Sequence, residues 1–145
     1  MINLDLLQKW QIDFWEMEHT REISPEGSTT ICPYMAEIRK IKELDLNQQD
    51  VRNNAIEAIK IIYKKVVQFV KSDEGFYQNR EDKYYLPILQ EQFESIDIGK
   101  LDTMKLKGQI LDFIYTVGRV VDSLYENLKL ETPAHLTQLM KISEI

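Results

Sequence analysis

A single cysteine, Cys32, leaves no internal disulfide open to the chain, and the two histidines, His19 and His135, are too few for a zinc site of Cys and His at ligand spacing. No apolar run approaches the roughly 20 residues that a membrane-spanning helix needs. At the start, Met1-Ile2-Asn3-Leu4-Asp5 places an acid where a secretion signal carries bases, so neither general secretion nor bilayer insertion is expected. Glycines are scattered, and no Gly-x-x-x-x-Gly-Lys or Gly-x-Gly-x-x-Gly cradle for phosphate occurs. No alternating Val/Ile/Thr segment calls for a strand. Bases are in the minority: 18 Lys and Arg stand against 24 Asp and Glu, and the net charge of -6 favours solubility and opposes unassisted binding to a polyanion. A reducing, cytoplasmic setting fits the lone thiol.

What the chain does have is apolar periodicity. Residues 101–128 carry two stripes at helical spacing: Leu106, Ile110, Phe113, Val117, Val120 and Leu124, and beside them Leu111, Ile114, Gly118, Val121, Tyr125 and Leu128. A helix apolar over so much of its circumference must be covered on at least two sides, which makes it a central element. Gly118 agrees, because glycine inside a helix costs roughly 1 kcal/mol against alanine and is best explained by a backbone approaching closely. The longest periodic run follows Asn47-Gln48-Gln49-Asp50, with Val51, Ala55, Ile59, Ile62, Val66 and Phe69 inward and Ile56, Tyr63, Val67 and Val70 widening the face. Residues 47–71 would span about 37 Å at 1.5 Å per residue, enough to lie along 101–128.

Asn3 is placed to cap a first helix over residues 3–21, with Leu4, Leu7, Trp10, Phe14 and Met17 on one face and Trp15 beside it. Ser24-Pro25-Glu26-Gly27-Ser28 reads as a loop, and Pro33 suits the first turn of a short helix with Met35, Ile38, Ile41 and Leu44 inward. Another short helix is expected to begin near Pro87 and stop by Gly99, carrying Leu86, Leu89, Phe93 and Ile96. Thr132-Pro133 marks the start of a last one, with Leu136, Leu139 and Met140 on its apolar side. The reading is an all-α chain: one helical-bundle domain over residues 1–145, with three long helices (about 3–21, 47–71 and 101–128) and about three short ones.

Candidate chemistry is sparse. Glu16 and His19 form a Glu-x-x-His, but a di-metal bundle needs that motif twice, and His135 makes no second copy. Cys32 precedes Pro33 at a helix start, where backbone amides lower a thiol pKa, yet no histidine is near it in sequence to act as a base. No catalytic residue, metal or cofactor is therefore expected, and an enzymatic or metal-binding bundle using Glu16 and His19 is the third of three readings.

Charge is more informative than any motif. Residues 1–32 sum to -4, residues 33–72 to +3, residues 73–101 to -4 and residues 102–145 to -1, which together give -6. Within the basic middle, Arg39, Lys40 and Lys42 fall on the second helix, while Lys60, Lys64 and Lys71 share one face of the third, with Lys65 adjacent. Such a track suits a phosphate backbone or an acidic protein, and so supports the second reading, a small subunit of a nucleoprotein assembly binding RNA or DNA. Glu57 interrupts it and the chain is acidic, which favours an ordinary solvated face. On the helix over 101–128, Asp112, Tyr115, Arg119, Asp122 and Glu126 form a polar stripe. It serves either as an outer face with a weak Arg119 to Asp122 pair or as an interface anchored by a tyrosine and an arginine. The first reading is accordingly a non-enzymatic protein-binding module, of adaptor, inhibitor, antitoxin or immunity type, whose partner is another protein contacted through Tyr115, Arg119, Asp122 and Asp112.

Overall fold

The computed structural model describes residues 1–10, 33–71, 82–97, 102–127 and 139–142. Among them every regular element is helical, and no helix is long and apolar enough to cross a membrane. Asn3 caps α1 (Leu4–Gln8) from an extended conformation, φ -77° and ψ 99°, its Oδ1 accepting the Leu6 amide at 3.1 Å. The expected continuous helix over 3–21 is corrected here. Helix α1 stops at Gln8, where the amides of Lys9 and Trp10 turn back to the carbonyls of Leu6 and Leu7, each at 3.1 Å. Trp10 explains the break: its buried ring faces Tyr34, with centroids 6.4 Å apart, rather than extending a stripe along α1. Residues 11–21 lie outside the described ones.

Helix α2 (Pro33–Arg39) begins at its proline as expected and tightens into a 3-10 turn, Lys40–Glu43, burying Ile38 and Ile41. The start of α3 (Gln49–Lys71) is prepared by Asp45. Its carboxylate accepts the Asn47 amide at 3.1 Å and the Gln48 side chain at 3.3 Å, while the Gln48 carbonyl receives the first helical bond, from Arg52 at 2.9 Å. These contacts hold the Asp45 carboxyl below its ordinary pKa, the Asn47 amide contributing most.

Helix α4 (Asp82–Asp97) is longer than its sequence suggests, because Pro87 sits inside it rather than at its start. The proline is exposed, and its missing N–H removes the helical bond that this position would make to the Lys83 carbonyl. Helix α5 (Thr103–Asn127) is capped by Asp102, whose Oδ1 accepts the Lys105 amide at 2.9 Å, and Thr103 Oγ1 donates to Asn47 Oδ1 at 2.9 Å.

The core follows the expected stripes. Leu106, Ile110, Phe113, Ile114, Val117 and Val120 of α5 are fully buried with Ala55, Ala58, Ile59, Ile62 and Val66 of α3 and Leu89 and Ile96 of α4. The pairing differs from expectation: α5 packs most extensively on α4, which also packs on α3, while α3 and α5 meet over a shorter stretch. Three aromatic rings mark the junction. Tyr63 of α3 stacks on Phe93 of α4, with centroids 4.2 Å apart and 3° between planes, and lies 6.4 Å from Phe113 of α5. A helical turn at 139–142 adds Leu139 and Ile142 to the core. It crosses α5 at Gly118, where a Cβ would fall 2.6 Å from Met140 Cγ and 3.0 Å from the Met140 amide nitrogen. Close backbone approach is thus the reason for this glycine.

Candidate functional site

Two surfaces carry some of the residues that the sequence singles out. The first is the outer side of α5, where Asp112, Tyr115 and Arg119 are exposed, Tyr115 by 42%. Asp122 lies on the same helix, and its side chain falls outside the described ones. The Asp112 carbonyl accepts a back-bond from Thr116 Oγ1 at 3.0 Å, so the threonine hydroxyl, nearly buried, is satisfied within the helix. Sequence reasoning missed what lies alongside. Met104, Gly108, Leu111 and Tyr115 recur at intervals of four, three and four, which places them on one face. Met104 is almost fully exposed, Leu111 is half-buried, and a Cβ on the exposed Gly108 would meet nothing within 4 Å. That spacing is legible in the sequence, but the core stripes running through the same residues mask it.

Beside this face, the seam between α4 and α5 opens into a notch of about 210 Å³ lined by Ile88, Glu91, Gln92, Ser95, Gln109 and Asp112. Ile88 is 39% exposed at its edge. The side-chain oxygens of Gln92 and Gln109 are buried and take no hydrogen bond among the described residues.

The second surface is a groove of about 840 Å³ along α3, lined by the apolar Ile61, Tyr63, Val67 and Phe93 and by Lys60, Lys64 and Lys65. Glu57 is the carboxylate in that lining, and it meets Lys60 at 3.3 Å with both side chains about half exposed, a pair of little energetic weight. Lys65 donates to the Gln8 carbonyl, satisfying the end of α1. Partial burial, with the charge of Glu94 as a smaller cause, raises the Tyr63 pKa above its ordinary 10.0.

Arg39, Lys40 and Lys42 belong to α2 and its 3-10 turn and line no part of the groove, and Lys40 is bound to Glu37 at 2.7 Å. Lys71 ends α3 with its side chain outside the described ones. Of the bases expected to form the track, Lys60 and Lys64 line the groove, together with Lys65. Glu16, His19, Cys32 and His135 all lie outside the described residues, and among those described no group of three or more His, Cys, Asp or Glu is placed to hold a metal ion.

No known family model matches the chain, and no curated protein sequence or solved structure matches it.

Proposed function

We propose that the protein is a non-enzymatic helical module that binds another protein through the outer face of α5. One observation carries the reading. Of the four large apolar side chains exposed among the described residues, Ile88, Met104 and Tyr115 belong to α4 and α5, and the last two share a stripe with Gly108 and Leu111. Exposed apolar groups cost solubility, so the alignment of Met104 and Tyr115 on one face of α5, with Asp112 and Arg119 exposed on the same helix, suits a surface that is covered when a partner is present. Tyrosine and arginine are the residue types that most often anchor such contacts. The open space at Gly108 lets a partner's backbone or side chain approach the helix closely.

The test is the Tyr115→Ala, Arg119→Ala double variant, assayed against the partner that co-purifies with the native protein and is identified by mass spectrometry. Helicity and melting should remain nearly unchanged, because both residues are exposed and alanine favours helix. Affinity should fall by about 2 kcal/mol or more, roughly thirtyfold. Unchanged affinity would remove α5 as the contact.

A further inference from the structure

We propose that the groove along α3 docks an acidic amphipathic helix of a second protein. The inference rests on the reading of this chain as a protein-binding module, but not on the α5 face.

The chemistry of the lining selects the occupant. Lys60 and Lys64 are one helical turn apart, about 6 Å along the axis, and so are Tyr63 and Val67. Charged and apolar rows thus run side by side along α3 with the same spacing. A partner helix lying along the groove presents side chains at that same interval, so carboxylates four residues apart face the two lysines while a neighbouring apolar row covers Tyr63, Val67 and Phe93. Glu57 supplies the opposing carboxylate and already contacts Lys60, which leaves the lining basic on balance. The complementary partner is therefore negatively charged on one row and apolar on the next.

The same lining argues against a nucleic acid. Bases bind single-strand grooves by stacking on open aromatic faces. Here Tyr63 and Phe93 stack on each other, nearly parallel at 4.2 Å, so each ring has one face already covered.

The probe is a labelled synthetic helical peptide with glutamates at every fourth position and leucines on the adjacent row, titrated with the full chain by fluorescence polarisation. Its counterpart carries glutamine for every glutamate, and a single-stranded oligouridine RNA is the third probe. The acidic peptide should bind at least tenfold more tightly than the glutamine peptide. Lys60→Glu with Lys64→Glu should weaken it tenfold or more without lowering the melting temperature, and the Tyr115→Ala, Arg119→Ala variant should bind it like the unaltered chain. Equal binding of the two peptides, no binding of either, or indifference to the lysine reversal would overturn the proposal. So would preferential binding of the RNA with a steep salt dependence, which would make the groove a nucleic-acid site. Loss of peptide binding only in the Tyr115 and Arg119 variant would place the probe on α5 and remove the groove, while leaving the α5 reading standing.

Discussion

The seam between α4 and α5 and the docking of the N-terminal segment hold the same molecule together by different means. Along the seam, Leu89 and Ile96 meet a helix whose Leu106, Ile110, Phe113, Ile114, Val117 and Val120 are all fully buried, so cohesion comes from apolar area without regard to direction. At the N-terminal end, Ile2, Leu7 and Trp10 are buried too, but α1 is only five residues long and too short to persist alone. Its position is set by directed bonds from distant parts of the chain. Asn54 of α3 brackets Ile2, accepting its amide at 2.8 Å and donating to its carbonyl at 3.0 Å, and Glu37 of α2 accepts the Asn3 amide at 2.9 Å. A long helix with a wide apolar face can tolerate a changed bond, whereas a short one is only as well placed as its polar partners.

The largest effect that would test this contrast comes from Val117→Asp. Val117 is fully buried, and an unpaired charge in an apolar interior costs several kcal/mol, comparable with the 5–15 kcal/mol by which a typical domain is stable. Far-ultraviolet circular dichroism should show the variant largely unfolded, or melting far below the unaltered protein, with α3 and α4 lost alongside α5. If melting were unchanged, the α4–α5 seam would not be the core.

Asn54→Ala probes the other region and should cost less. Removing this side chain leaves the amide and carbonyl of Ile2 without their partners, at a site partly open to water that replaces some of what is lost. A destabilisation of about 2 kcal/mol is expected in denaturant titration. Hydrogen exchange should sharpen the distinction, since amides of residues 2–8 would exchange faster while those of α5 kept their protection. Uniform acceleration across both regions would mean that the N-terminal segment is not separately pinned.

The same contrast explains what could be read from the chain. Stripes such as Leu106 to Val120 and Ala55 to Val66 are properties of spacing, and the structure buries them as expected. Gly118 was legible because its cost inside a helix demands a cause, and Met140 is that cause. Asn3 was legible as a cap because capping is local. By contrast, Trp10 continues the apolar spacing of α1 and yet leaves the helix, since its contact with Tyr34 lies far away in sequence. The early start of α4 escaped notice because Pro87 usually marks a first turn. Nothing near Asn54 or Glu37 announces a bond to residues 2 and 3, some 52 and 34 positions away. For the functional surfaces, the lysines and the Tyr115 stripe were visible, but the groove lining needed Phe93 from another helix.

The smallest effect is a pH dependence. Glu37 is only 9% exposed, and its carboxylate accepts the Asn3 amide at 2.9 Å and the Lys40 ammonium at 2.7 Å. The backbone bond first, then the lysine, hold its pKa below the ordinary 4.5, against the opposing effect of burial. Because the folded value lies below the unfolded one, the unfolded chain binds the proton more readily. The stabilisation is therefore complete above about pH 4.5 and is lost as pH falls through the lower, folded value. Other carboxylates titrate over the same range, Asp45 among them, so the informative quantity is the difference between the protein and Glu37→Gln. Glutamine keeps an acceptor for the Asn3 amide and loses the charge, so that difference should be about 1 kcal/mol near pH 7. It should shrink toward zero as the solution is acidified below the folded pKa, and added salt should reduce it at neutral pH, because the Lys40 side of the contact is open to solvent. Stability curves that stayed parallel from neutral to acid pH would show that the charge on Glu37 does not hold the N-terminal segment, leaving its docking to Asn54 and the buried Leu7 and Trp10.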